Sequence, residues 1–188
     1  LKHINDKQIE LALERITMGF PTSNLQDFSK KRLIAYHEVG HALVALLTPF
    51  ADKVDKISLL PRDGGVGGFT RFWPDEEVLD SGLISKAGLF AKIIVSLGGR
   101  AAELVVFGKS EVTQGASSDL KNVSYLAREM VTKYGFSTLG AYSIQPDSEE
   151  VFLGKDLLTS KSKYSESMKK SIDNEIRTIV VKAMNQSI

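Results

Sequence analysis

The chain contains no cysteine, so disulfide staples and thiolate metal sites are both excluded, and any metal it holds must sit among nitrogen and oxygen ligands. Neither sign of charge dominates: 24 basic against 23 acidic side chains leave a net charge of +1, and the longest basic runs are Lys30-Lys31-Arg32 and Lys169-Lys170. That is no electrostatic footprint for nucleic acid, which is therefore not an expected partner. No apolar run approaches the roughly 20 residues that a membrane-spanning helix needs. The charged start Leu1-Lys2-His3-Ile4-Asn5-Asp6 lacks the form of a signal peptide, so these 188 residues are not expected to enter a membrane themselves. Internal repeats and low-complexity tracts are absent too. The length suits one domain, or one domain with an appended helical arm, and is enough to bury a sizeable core.

Histidine is also scarce, with three in the chain, yet two of them fall in His37-Glu38-Val39-Gly40-His41. An i, i+4 pair lies on one helical face, so both imidazoles can reach one zinc ion at about 2.0–2.1 Å. Glu38 stands beside them, where it can take a proton from a metal-bound water. The surrounding residues 29–47 read as a helix: Leu33, Ile34, Ala42, Leu43, Val44, Leu46 and Leu47 fit a buried element. Ser29 is the expected N-cap and Thr48-Pro49 the stop. Two histidines merely satisfied by carbonyls in a core helix would leave Glu38 as an unexplained carboxylate among apolar residues. The motif points instead to a zinc-dependent hydrolysis of peptide bonds.

Elsewhere the apolar spacing predicts a first helix capped by Asn5 or Asp6, with Ile9, Ala12, Leu13 and Ile16 on one face and Gly19 as its stop. Residues 19–28 read as a linker. Residues 54–60 and 66–72 are short β candidates joined by the turn-rich Pro61-Arg62-Asp63-Gly64-Gly65. Residues 83–107 are helical by spacing, although Gly98-Gly99 would cost about 1 kcal/mol each against alanine; a close helix contact is the usual reason to keep such glycines. A further helix runs from near Ser117 to Gly135. Residues 136–160 look like a long surface connection. A last amphipathic helix near residues 165–185 carries Met168, Ile172, Ile176, Ile179 and Ala183 on one side, a stripe suited to core packing ahead of a neighbouring subunit. The fold class is mainly α-helical (α+β), with a small β-hairpin or edge strand beside the HEVGH helix. The expected organisation is residues 1–28 as the end of a preceding module with a linker, 29–160 as the zinc peptidase domain and 161–188 as its C-terminal helix.

A catalytic zinc commonly has three protein ligands and a water. His3 sits among the first residues, and Leu47 stands where the third histidine of the longer H-E-x-x-H-x-x-G-x-x-H pattern would be. A carboxylate must complete the site, and two stand out: Glu103, in a helical stretch, and Asp119, at a helix start where the macrodipole favours negative charge. Physical reasoning from the sequence leaves these two level. Arg100 or Arg128 are candidate ion-pair partners should Glu103 be structural. The run Val66-Gly67-Gly68-Phe69-Thr70-Arg71-Phe72 is the best candidate for an edge strand that holds substrate, its glycines allowing another backbone to come close.

Several separated stretches carry a resemblance in one order: His37-Glu38-Val39-Gly40-His41, Leu97-Gly98-Gly99-Arg100-Ala101-Ala102-Glu103 with Phe107-Gly108, Val112-Thr113-Gln114-Gly115-Ala116-Ser117-Ser118-Asp119-Leu120, and Ala127-Arg128-Glu129-Met130-Val131 with Gly135. Over residues 30–155 the chain closely resembles the FtsH membrane-bound, ATP-dependent zinc proteases. The resemblance implies a zincin-like helical peptidase domain in which His37, His41 and Asp119 bind zinc and Glu38 is the general base. It also implies a ring, a homo- or hetero-hexamer, in which an ATPase module unfolds damaged or membrane protein substrates and threads them to the peptidase. Residues 4–19 resemble the last helix of that ATPase, so the resemblance places the ATP-binding module and the membrane helices outside this sequence. The full-length protein would then be anchored in a bacterial inner membrane or an organelle; residues 72–83 resemble members from cyanobacteria and plastids. Gln114 and Ser118 stand where threonine and asparagine are common, Phe136 where methionine is common, and the chain stops soon after Ile176; none of these departures removes a metal ligand. Two rivals remain: a ring subunit that has lost proteolysis, which would be expected to lack Glu38 or a zinc ligand, and a stand-alone zinc peptidase, which the ATPase-like first helix disfavours.

Overall fold

In the computed structural model the described residues are 4–20, 28–61, 67–144 and 165–188. The most apolar helix, α4 (Lys86–Phe107), is capped by Ser85, whose hydroxyl accepts from the Gly88 amide. Leu89, Ala91, Ile93, Ile94, Val95, Leu97 and Ala101 are all buried along it, because other helices cover it on two sides. On one side α5 (Ser117–Thr132) and α6 (Glu166–Ser187) close a core of Leu89, Ile93, Ile94, Leu97, Val123, Ala127, Met130 and Ala183. Full burial of side chains such as Ile93 and Leu97 contributes about 1.5–3 kcal/mol each. The expected stripe of α6 is used in this way: Ile176 and Ile179 pack on the main cluster, and Ile172 and Met168 on a second cluster with Val131 and Ile144.

On the other side of α4 lies α2 (Phe28–Leu47). It starts one residue before Ser29, which therefore lies in the first turn and not at the cap, and it stops as expected, with Thr48 bonding back to the Val44 carbonyl at 2.7 Å. The approach of α2 to α4 explains the paired glycines. A Cβ on Gly40 would stand 2.5 Å from the Gly98 carbonyl oxygen, and one on Gly98 would stand 2.8 Å from that of Gly40, distances at which side chains cannot fit. The face that α2 buries is polar in part: His37, Glu38, Gly40 and His41 point inward with Ala42 and Ala45, while Leu43, Leu46 and Leu47 are exposed. The expectation of a helix buried by all its apolar residues is thus corrected; small residues and the motif set the contact.

Strands β1 (Lys53–Ser58) and β2 (Phe69–Trp73) form an antiparallel pair, in register from Ser58 opposite Phe69 to Lys53 opposite Trp73, with an irregularity between Val54 and Lys56. Residues 62–65 of the predicted joining turn, and Val66 at the start of the second predicted strand, lie outside the described residues. The sheet packs on α2. A short helix α3 (Glu76–Ser81), not foreseen, is capped by Asp75 and ends at Gly82 in the left-handed conformation, φ 66°. The first helix, α1 (Asp6–Met18), begins with a reciprocal capping box between Asn5 and Gln8 and ends at Gly19, φ 83°, as read from the sequence. Its apolar stripe is not packed: Ile16 is 81% exposed. Instead Glu14 is buried and paired with Lys56 at 2.5 Å, and Glu10 bonds Lys56 and Arg71. Of the predicted connection 136–160, residues 145–160 lie outside the described residues; before them the chain folds back, with the Ile144 amide on the Thr132 carbonyl at 2.7 Å and Ile144 buried. Among the described residues no helix is long and apolar enough to cross a membrane.

Candidate metal centre

The one-turn spacing on α2 sets His37 and His41 side by side, ring centroids 4.8 Å apart, and each ring is held by a bond at its Nδ1. His37 Nδ1 lies 2.7 Å from Glu103 Oε1, and His41 Nδ1 lies 2.8 Å from the Val95 carbonyl oxygen. Both partners accept, so both Nδ1 atoms donate. The Gly99 amide, 3.3 Å from the same nitrogen of His41, is the more distant contact, and the Val95 carbonyl sets the tautomer. In the neutral rings this leaves a bare lone pair on each Nε2.

Those two Nε2 atoms face each other at 3.1 Å. Asp119, in the first turn of α5, brings Oδ2 to 3.3 Å from His37 Nε2 and 3.6 Å from His41 Nε2. Ligand atoms about 2.0–2.1 Å from one tetrahedral zinc are separated by about 3.3 Å, so the spacing of the three donors fits a shared ion. Lone pairs and a carboxylate oxygen that converge without a donor among them call for a cation. Asp119 is held in the form a cation needs: burial works against its charged form, but the hydrogen bonds and charges of His37 and His41 outweigh it and hold the carboxyl well below the usual range. Burial likewise opposes the charged form of His37, but Asp119 and Glu103 overcome it and raise the imidazole, so that a proton competes with a cation for its Nε2.

Glu103 is fully buried and lies on the far side of the His37 ring from the convergent atoms; its oxygens also accept from the Thr113 amide at 2.7 Å and the Thr113 hydroxyl at 3.1 Å. The ion pairs considered for it with Arg100 or Arg128 are not formed; Arg128 reaches Asp173 instead, at 3.8 Å. Gly99 completes the nest, since a Cβ there would stand 2.5 Å from His41 Nε2 and 2.6 Å from His37 Nε2.

Glu38 is buried beside the ligands, and the Thr70 hydroxyl from β2 lies 2.8 Å from its Oε2 and 2.9 Å from its carbonyl oxygen. Residues 67–70 do run past the site. A cavity of about 350 Å³ has Phe69 and Thr70 with Glu38, His41 and Asp119 in its wall. A second, of about 700 Å³, has Gly67 and Gly68 with His37, Glu38 and Asp119. The two glycines, however, are closely approached by the chain's own helix: a Cβ on Gly67 would meet Ile34 Cδ1 at 2.4 Å, and one on Gly68 would meet Ile34 Cγ2 at 2.9 Å. The sequence reading missed three supporting groups: Thr113, the link of Thr70 to Glu38, and the Val95 carbonyl. Thr113 and Thr70 were at least within stretches singled out by motif, whereas a backbone carbonyl leaves no trace in a sequence.

A histidine pair one helical turn apart, a carboxylate from another helix and a glutamate between them and a small antiparallel sheet together define a zincin-like, mainly helical peptidase domain. The profile of peptidase family M41 matches residues 24–188, and the chain belongs to that family, which bears out the resemblance to the FtsH proteases. It is 45% identical over 98% of its length to "ATP-dependent zinc metalloprotease FtsH" of Trieres chinensis. To "ATP-dependent zinc metalloprotease FTSH, chloroplastic" of Capsicum annuum it is 46% identical over 100% of its length, and to "ATP-dependent zinc metalloprotease FTSH 5, chloroplastic" of Arabidopsis thaliana 46% over 97%. The chain spans only 28%, 28% and 26% of these relatives.

Proposed function

We propose that this chain is the zinc-dependent endopeptidase domain of a membrane-anchored, ATP-dependent protease that degrades unfolded or damaged proteins. The observation that carries the reading is the convergence of His37 Nε2, His41 Nε2 and Asp119 Oδ2 at the mutual spacing of zinc ligands, with Glu38 buried beside them. These three residues would hold the ion. Bound zinc would acidify a water and polarise the scissile carbonyl. Glu38 accepts the proton of the attacking water and returns it to the leaving amine. Thr70 keeps that carboxylate in place through its hydroxyl. Glu103 fixes the His37 tautomer so that Nε2 is free to coordinate. Gly67, Gly68, Phe69 and Thr70 guide an extended substrate past Glu38, a role supported by their place in the walls of the two cavities that open at the ligands.

The relatives' names, ATP-dependent and in several cases chloroplastic, and their greater lengths support an ATPase module elsewhere in the full-length protein and an organellar, plastid setting; the hexameric ring and the membrane anchor rest on the family resemblance alone. Metal analysis and casein digestion on the chain and on four variants test the reading. Zinc near one per chain should persist in Glu38→Gln while cleavage is lost, and Asp119→Asn and His41→Ala should lose metal. Glu103→Gln should keep the metal under saturating zinc. A Glu38→Gln chain that cuts casein as fast as the parent would overturn the mechanism.

A further inference from the structure

The cavity of about 350 Å³ beside His41 opens directly onto Glu38 and Asp119. Its walls are apolar where Phe69, Phe72 and Val95 contribute, yet it also contains an ion pair that neither the core nor the metal site uses. Lys92, on the face of α4 that carries Val95 and Ser96, pairs through Nζ with the carboxylate of Asp52, which lies just before β1. The two side chains are 28% and 20% exposed, so each is partly withdrawn from water and each is turned toward space that a ligand can occupy.

We propose that the Asp52–Lys92 pair is the element of this cavity that excludes charged substrate side chains next to the scissile bond and so leaves it to large uncharged ones; the proposal rests on the peptidase reading above. A phenylalanine, tyrosine or methionine side chain finds apolar walls at one side and a mutually neutralised pair at the other. A charged side chain in the same place meets one opposite and one like charge together and loses its water without a net partner. The pair therefore acts as a filter against both signs. Cutting it should unmask one charge at a time. Lys92→Gln leaves Asp52 to attract a basic side chain, and Asp52→Asn leaves Lys92 to attract an acidic one. If the pair only tied the segment before β1 to α4, cutting it would lower stability without reordering side-chain preference.

The test uses the zinc-loaded chain carrying Glu38→Gln, so that bound peptide stays intact. Fluorescent, unstructured decapeptides that differ at one central residue, phenylalanine, lysine or glutamate, are titrated and followed by anisotropy; in parallel, cleavage sites of the Glu38 chain on denatured casein are mapped by mass spectrometry. The phenylalanine peptide should bind best. Lys92→Gln should raise lysine-peptide binding relative to phenylalanine by about three- to fivefold, and Asp52→Asn should do the same for glutamate, the range of an ion pair that water still reaches. The double variant should restore the order of the parent, and melting temperatures of the single variants close to that of the parent show that they remain folded. The same ranking in all four proteins overturns the role of the pair while leaving the peptidase reading intact. Peptides that bind none of the four, with casein left uncut by the zinc-loaded Glu38 chain, overturn both.

Discussion

A carboxylate with no exposure must be held by donors, and Glu103 has three: the His37 Nδ1–H, the Thr113 amide and the Thr113 hydroxyl. It supports the proposed site through a ring and not through an ion. Partners of this kind typically shift metal affinity 10–100-fold, so Glu103→Gln should weaken zinc binding by about that factor in a competition titration with a chromophoric chelator. Unchanged affinity would remove Glu103 from the site. Thr70 acts on the base in a similar way. Thr70→Val keeps the shape and loses the bond to Glu38; casein turnover should fall by about tenfold at unchanged zinc content, and a loss of zinc instead would mean that Thr70 serves the ligands. Glu103 and Asp119 were both visible in the sequence as acidic candidates. Spacing along the chain could not separate them, because which side of a ring each carboxylate reaches depends on how α2, α4 and α5 are set against one another.

The contact between α2 and α4 decides that setting, and it is made by backbone. A methyl on Gly40 would fall 2.5 Å from the Gly98 carbonyl oxygen, so Gly40→Ala should cost about 1–3 kcal/mol of stability by overpacking even though alanine is the better helix former by about 1 kcal/mol. Gly88→Ala, in the first turn of α4, meets side chains and no backbone, Ile84 Cγ2 at 3.1 Å and the Ser85 hydroxyl at 3.4 Å, and should stay within about 1 kcal/mol of the parent. Urea unfolding midpoints compare the two, and equal midpoints would refute the contact. Helix periodicity located α2, α4, α5 and α6 to within a few residues, since each has an apolar side to bury. It failed for α3, which has no buried residue and therefore no hydrophobic period to detect. It misjudged α2, where the residues facing α4 are glycine, alanine and histidine.

Across the whole molecule, the proposed ion would join α2 to α5, two helices that both pack on α4. Zinc should therefore raise the melting temperature, by an amount that grows with its concentration; at 1,000 times the dissociation constant the linkage is worth about 4.1 kcal/mol. Chelation should reverse it together with activity, and a melting temperature indifferent to zinc would refute the cross-link. At the other end, α1 is joined to the sheet by Glu10 and Glu14 with Lys56 and Arg71, its stripe left largely exposed. Half-exposed ion pairs are screened by salt. Amide exchange in α1 should accelerate on going from low to high salt while that in α4 does not; equal response would show that apolar contact holds α1.

The proposed chemistry was legible along the chain. With no cysteine and few histidines, the HEVGH helix fixed the donor types and the one-turn spacing and set the proposed base beside them, and the ordered motifs fixed the family. These are local facts, written in residues a few positions apart. Which carboxylate converges with the histidines, Asp119, and which holds His37 from behind, Glu103, came from the packing of the helices. The tertiary structure alone showed that the glycines beside Phe69 accommodate α2, and that Asp52 meets Lys92 beside the reacting centre. Each of these depends on segments far apart in the chain being pressed together by the burial of α4, and the distance at which they meet is set by packing.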